Sequence, residues 1–280
     1  MERSFRKMHG LGNDFVVLDG RREALSLDTA TVRALGDRRT GIGFDQLVIL
    51  ERPRDGGHVR ARFYNQDGGE VATCGNASRC IGRLLLDETG ERSVTIETGG
   101  GPVVASDAGE ALVTIDMGRP RFAWNEIPLA RDVDTRSLPL QVGNLPPAFG
   151  VSVGNPHAVF IVPDAAQIDV AHLGSQLEHD PLFPERANIE FAQVLSSDRV
   201  RMRVWERGAG ITRACGSGAC ATLVATASRG LTGRRATIEL DGGDLIIEWT
   251  KQDRVLMTGP VATAFSGTVQ LPDTAAARAA

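Results

Sequence analysis

The residues in this chain best suited to moving a proton are two thiols in matching settings. They lie in Thr73-Cys74-Gly75-Asn76 and, 141 positions later, in Ala214-Cys215-Gly216-Ser217. A thiol is a usable acid and its thiolate a usable base at moderate pH. Each cysteine directly precedes a helical pattern, and a helix N-terminus is expected to lower a thiol pKa below its free value of about 8.5. The glycine that follows lets a ligand approach the backbone, and first-turn N–H groups form an anion site. Thiols on both sides of a small molecule could remove a proton from one face of a carbon and return one to the other. That chemistry is racemisation or epimerisation. A carboxylate held between two helix N-termini would also stabilise enolate charge as the proton leaves.

The elements that must position these thiols come as a repeat. At an offset of 141 or 142, Gly12-Asn13 falls on Gly154-Asn155 and Gln46 on Asn188. Arg62-Phe63-Tyr64-Asn65 falls likewise on Arg203-Val204-Trp205-Glu206, and Thr95-Ile96-Glu97 on Thr237-Ile238-Glu239. Such self-similarity argues for a duplicated unit, and facing halves would put one Cys-Gly on each wall of a cleft. Phe15–Leu18, Leu47–Leu50 and Val59–Tyr64 read as strands, and residues 28–39 as a helix capped by Asp28 or Thr29. A helix begins at Cys74, with strands around 93–97, 102–106 and 111–116. The second half repeats the order, with strands near 157–162, 189–195 and 200–205, a helix near 169–177, a helix from Cys215 to about Ser228, and strands to Met257. The Pro-rich stretch 119–150 reads as the inter-unit connection. We therefore expect an α+β fold of two pseudo-symmetric units, each a curved, barrel-like sheet round a central helix, with the active site in the cleft between them. The expected boundaries are 1–118 plus 263–280 and 119–262.

Composition narrows the function classes. The net charge is −4, without the basic excess of a nucleic-acid binder. Only Lys7 and Lys251 are lysines, against 29 arginines, so a pyridoxal-phosphate Schiff base has few candidates and cofactor-free chemistry is expected. No apolar run reaches membrane-spanning length and no secretory signal is apparent, so the four cysteines read as reduced, cytoplasmic thiols. Cys74-x5-Cys80 and Cys215-x4-Cys220 share no helix face at about 100° per residue, which disfavours a metal site. Cys80 and Cys220 read as small buried apolar groups. The tail Asp273–Ala280 is expected to fray.

Several segments resemble the signatures of diaminopimelate epimerases. They are Met8–Phe15, Gly41–Leu47, Asn65-Gln66-Asp67-Gly68, Cys74-Gly75-Asn76, Gly154-Asn155-Pro156-His157, and Glu206-Arg207-Gly208 running through Thr212 to Ala214–Ala219. The likeness covers essentially the whole chain, in order. It implies a cytoplasmic, cofactor-independent homodimer that interconverts LL- and meso-2,6-diaminopimelate in lysine and peptidoglycan-precursor synthesis. It also implies that Cys74 and Cys215 act as base and acid, exchanging roles with direction. The N–H groups of Gly75, Asn76, Gly216 and Ser217 would hold the carboxylate at the reacting centre. Asn13, Asn65, Asn155, Asn188 and Arg207 would grip the distal amino-acid end, where the guanidinium fork suits a carboxylate. Gln46 and Glu206 match further substrate positions, and His157 and Glu206 match residues that poise the thiols. Asp14, Asp45, Asp67 and Arg79 read as structural. Phe44 and Ala77-Ser78 depart from the family pattern.

Three alternatives remain. A proline- or histidine-type two-thiol racemase would share the architecture, although proline racemases usually follow the first Cys-Gly with His and Asn76 stands here. A thiol–disulfide redox protein would want the missing C-x-x-C. The last alternative is a metal-binding structural module.

Overall fold

Both Cys-Gly steps are helix starts in the computed structural model, which describes residues 1–109 and 111–272. The chain divides into two units, Met1–Ile115 with Pro260–Ala280, and Asp116–Gly259. The tail Asp273–Ala280 lies outside the described residues.

The first unit runs β1 (Glu2–Gly10), β2 (Asn13–Asp19), α1 (Thr29–Gly36), β3 (Gln46–Glu51), β4 (Val59–Asn65), β5 (Glu70–Val71), α2 (Gly75–Thr89), β6 (Ser93–Thr98), β7 (Gly101–Asp107) and β8 (Leu112–Asp116). The second runs β9 (Phe149–Ser152), β10 (Pro156–Ile161), α3 (Val170–Glu178), β11 (Asn188–Ser196), β12 (Arg199–Glu206), β13 (Gly210–Ile211), α4 (Gly216–Ser228), β14 (Arg235–Leu240), β15 (Gly243–Trp249) and β16 (Val255–Pro260). A final strand, β17 (Ala262–Gln270), returns to pair antiparallel with β1.

The duplication is a duplication of strand pairing. In the first unit β1–β2 is antiparallel, β2–β3 parallel, β3–β4 and β4–β5 antiparallel, β4–β6 parallel and β6–β7 antiparallel. The same sequence of senses recurs from β9–β10 through β14–β15. Each sheet curves round its own helix. α4 packs against β9, β10, β11, β12, β14 and β15, and α2 against β1, β2, β6 and β7. α4 is itself built of small and apolar residues with a few hydroxyls, and its span from Gly218 to Thr226 is buried, as befits a helix enclosed by its sheet.

The outer sheet faces are covered by the other helices. Val32 and Leu35 of α1 lie in one cluster with Val16, Leu18, Leu47, Ile49 and Phe44. Val170 and Leu177 of α3 lie in another with Phe160, Ile189 and Phe191. Phe15–Leu18 and Leu47–Leu50 are therefore buried on both faces, which explains why they lack alternation. Asp28 caps α1 by accepting from the Thr31 N–H at 2.7 Å, as expected. That helix is shorter than the expected 28–39 and ends at Gly36.

The stretch 119–150 is not a free connection. Ile127, Leu129, Leu138 and Leu140 are buried in the same cluster as Phe160 and Phe191, so this irregular segment is part of the second unit's core. Strand β17 extends beyond the last strand expected from the sequence. Its Phe265 is half exposed and meets Phe5 edge-on at 5.9 Å. Among the described residues no helix is long and apolar enough to cross a membrane.

Candidate active site

In the first unit, strand direction gathers the amides. Asn13 opens β2, Gln46 opens β3 and Asn65 closes the antiparallel β4, so all three stand at one sheet edge. Gln46 Nε2 donates to Asn65 Oδ1 at 2.9 Å. Asn76, in the first turn of α2, donates through Nδ2 to Asn13 Oδ1 at 3.0 Å. Asn13 Nδ2 in turn donates to Asp45 Oδ2 at 2.8 Å. Cys74 is the extended N-cap of α2, and its carbonyl accepts from the Ser78 N–H at 2.9 Å. Gly75 and Asn76 thus occupy the first turn, ahead of the first intrahelical bond.

The neighbouring charges brace this arrangement. Asp14 pairs with Lys7 at 2.5 Å and with Arg38 at 2.7 Å, and Arg38 also reaches Asp45 at 2.7 Å. Burial would raise the Asp14 carboxyl, but hydrogen bonds from Arg38 and Lys7 outweigh it and hold the group well below the usual carboxylate range. Asp67 closes its turn by accepting from the Gly69 N–H at 2.8 Å. Arg79 is fully buried, and a Cβ on Gly10 would sit 2.8 Å from its guanidinium. Phe44 is a core residue, fully buried against Gly36.

The second unit repeats the layout with different chemistry. Asn155 precedes β10, Asn188 opens β11, Glu206 closes β12, and Cys215 caps α4. Asn188 Nδ2 donates to the Pro156 carbonyl at 3.0 Å, and its Oδ1 accepts from the Arg207 N–H at 3.0 Å. The Arg207 guanidinium donates to the Glu185 carbonyl at 3.1 Å. Thr212 donates its hydroxyl to Glu206. His157 is fully buried, with Nδ1 2.6 Å from Glu190 Oε1 and Nε2 2.9 Å from Asn155 Oδ1. Asn155 Nδ2 donates to Ser217 Oγ at 3.2 Å.

Cys215 Sγ accepts from the Gly218 N–H at 3.3 Å and lies 3.6 Å from Ser217 Oγ. The helix-start argument predicts a lowered pKa here, and the structure reverses it. Burial pushes the Cys215 thiol well up, and the Glu206 and Glu190 carboxylates push it further. The Ser217 hydroxyl and the Gly218 N–H oppose that rise without cancelling it. Burial also raises the Glu206 carboxyl, against hydrogen bonds from Thr212 and Cys215. Desolvation and like charge thus outweigh the helix dipole. Cys80 behaves as a buried apolar group, its thiol pushed up to about 12 by burial.

The first-unit residues Asn13, Gln46, Asn65, Cys74, Gly75 and Asn76 come together, as do Asn155, His157, Asn188, Glu206, Arg207, Cys215, Gly216 and Ser217 in the second. Sequence reasoning missed Glu190, which is fully buried beside His157. Its signal was available, since Asn188 and Glu190 alternate as polar residues within an apolar strand. Glu178 was also missed. It is buried at the end of α3, accepting from Trp205 Nε1 at 2.6 Å and from the Gly208 N–H at 2.8 Å, and so pins the Arg207 loop. Among the described residues no group of three His, Cys, Asp or Glu side chains could hold a metal ion.

Comparison with known proteins finds likeness along most of this chain. A family model described as diaminopimelate epimerase matches residues 5–123 and 149–264. The diaminopimelate epimerase of Rhodospirillum centenum is 58% identical over 95% of this chain and 92% of its own length. That of Phenylobacterium zucineum is 53% identical over 95% and 98%. Among solved structures, a Bacillus anthracis phenazine biosynthesis protein of the PhzF family aligns with TM-score 0.70 at 15% identity, covering 97% of this chain and all of the other. A hydroxyproline epimerase from Agrobacterium vitis aligns with TM-score 0.67 at 16% identity, over 98% and 94%. These two structures share the fold.

Proposed function

This chain belongs to the diaminopimelate epimerase family, and we propose that it interconverts LL- and meso-2,6-diaminopimelate with two cysteines as its only acid and base. In one direction the Cys74 thiolate takes the Cα proton, so that a C–H bond breaks and an S–H bond forms. The Cys215 thiol then gives its proton to the opposite face of the same carbon. The reverse direction exchanges the roles, and no atom or electron is gained or lost. The N–H groups of Gly75, Asn76, Gly216 and Ser217 hold the reacting carboxylate and stabilise the charge that develops on it. Asn13, Asn65, Asn155, Asn188 and Arg207 hold the distal amino-acid end, with Gln46 and Glu206 completing the substrate contacts. His157 and Glu206 poise the thiols.

The observation that carries this reading is the environment of Cys215. A buried thiol beside two carboxylates stays protonated near neutrality, which suits it to be the resting acid. No cofactor enters the scheme. Lys7, one of two lysines, is buried and has its ammonium engaged by Asp14 and the Gly43 carbonyl. A cytoplasmic homodimer belongs to the same proposal. The exposed Phe265 on β17 offers an apolar surface for a second subunit.

The test is proton exchange. Reduced protein is incubated with meso-diaminopimelate in D2O and the Cα–H signal followed by NMR, alongside Cys74→Ala and Cys215→Ala. Exchange with interconversion in the wild type, and interconversion lost in both variants, is expected. Interconversion that survives either substitution would overturn the two-thiol scheme, whereas exchange with retention at one face needs only the remaining thiol.

A further inference from the structure

We infer that Glu190 is a positioning residue for the acid/base chemistry, its buried carboxylate fixing the His157 ring and facing the first turn of α4, so that Cys215 serves as the acid. The inference rests on the two-thiol reading above and deepens it.

Glu190 is an unusual residue for its place. It stands between Ile189 and Phe191 on β11, and all three are fully buried. A fully buried carboxylate is destabilising unless it is paired and hydrogen-bonded. Here Oε1 is engaged by His157 Nδ1 at 2.6 Å, whereas the buried Oε2 has no hydrogen-bond partner. An apolar side chain would complete this strand at lower cost, so the charge calls for a functional reason.

Two routes connect that charge to the thiol. The first is direct. A Cβ built on Gly218 would lie 2.8 Å from Glu190 Oε1 and 3.1 Å from Cys215 Sγ, so carboxylate and sulfur flank the same glycine. The second is a hydrogen-bonded chain from Glu190 through His157, Asn155 and Ser217 to Cys215, with links of 2.6, 2.9, 3.2 and 3.6 Å. A carboxylate at Nδ1 keeps a proton on that nitrogen and so fixes the ring's orientation. The groups facing Cys215 are Glu190 on β11, Glu206 on β12, and the Ser217 hydroxyl and Gly218 N–H of α4, with His157 on β10 behind Asn155. The two carboxylates disfavour the thiolate and the two α4 donors favour it.

Glu190→Gln keeps the shape and removes the charge. The ionisation of Cys215 is read without substrate, as ultraviolet thiolate absorbance in the wild type and in E190Q, each minus its own Cys215→Ala partner. We expect the midpoint to fall by about one pH unit, the lower end of what an adjacent charge produces. The limb of the kcat/KM profile that reports loss of the Cys215 proton should move down by the same amount. An unmoved midpoint in folded E190Q overturns the inference. A second measurement covers the case in which E190Q does not fold. In 15N-histidine NMR of the wild type, His157 Nδ1 should carry a proton, and an unprotonated Nδ1 also overturns the inference. If the wild type does not turn over diaminopimelate, the proposed function falls, while the titration still decides the role of Glu190.

Discussion

Glu178→Ala should loosen the grip on substrate from outside the acid/base centre. Glu178 ends α3 with its side chain 4% exposed, and it accepts from Trp205 Nε1 at 2.6 Å and from the Gly208 N–H at 2.8 Å. Those donors flank Glu206-Arg207, and Trp205 is pressed so closely on α3 that a Cβ on Gly174 would lie 2.4 Å from the Trp205 Cβ. The exposed Gly208 N–H can recover a bond to water, whereas the indole N–H loses a charged partner. The net cost should be about 2–3 kcal/mol. For a unit of this size that lowers Tm by roughly 5–10 °C. A less ordered Arg207 loop should also raise KM for diaminopimelate about tenfold, equivalent to about 1.4 kcal/mol, with kcat falling less. Calorimetry and steady-state kinetics measure the two effects. An unchanged Tm would refute the energetic reasoning, and a lower Tm with unchanged KM would refute the link to Arg207. The pH dependence gives a further check. Burial raises the Glu178 carboxyl, but hydrogen bonds from Trp205 and Gly208 outweigh it and leave the pKa below its ordinary value of 4.5. The stability advantage of the wild type over Glu178→Gln should therefore be full above that ordinary value. It should shrink as pH falls through the depressed folded-state value and vanish below it.

Two further outcomes follow from the second unit. The alkaline limb of kcat/KM that reports loss of the Cys215 proton should lie above the ordinary thiol value of about 8.5, because burial and then Glu206 and Glu190 raise that thiol. A limb at or below the ordinary value would contradict this assignment of the acid. Gly218→Ala should destabilise the protein by about 1–3 kcal/mol through overpacking and should depress kcat. The new methyl would intrude on Glu190 and Cys215 Sγ together, and neither can retreat into solvent. Urea unfolding and turnover at saturating substrate would show it, and a neutral result in both would mean that the carboxylate and the thiol do not share this space.

The sequence disclosed most where its signals were local. Cys74 and Cys215 stand at helix starts because glycine and a helical pattern follow each, and Asp28 caps the helix for which its side chain is suited. The repeat was legible because residues at strand starts such as Asn13 and Asn155 keep their spacing from the cysteines to within one residue. What escaped was decided by the tertiary environment. The stretch 119–150 buries Ile127, Leu129, Leu138 and Leu140 one at a time from irregular backbone, so no period of two or 3.6 betrays its place in the core. Glu190 alternates with Asn188 as a polar position on its strand, but that α4 covers this face and buries the carboxylate is a tertiary fact. The thiol of Cys215 was assigned the wrong direction of shift because a helix dipole can be read from sequence, whereas burial and two carboxylates from separate strands cannot.

The enclosure of α4 has a thermodynamic consequence. A reactive group on a surface loop can lose its geometry by fraying while the rest of the protein stays intact. Cys215 instead caps a helix that touches six strands of its own unit, so no small opening releases it. Displacing the thiol requires much the same disruption as unfolding that unit. Heat should therefore abolish this half of the chemistry in a single step with the unit, rather than by a gradual decline in a protein that is still folded.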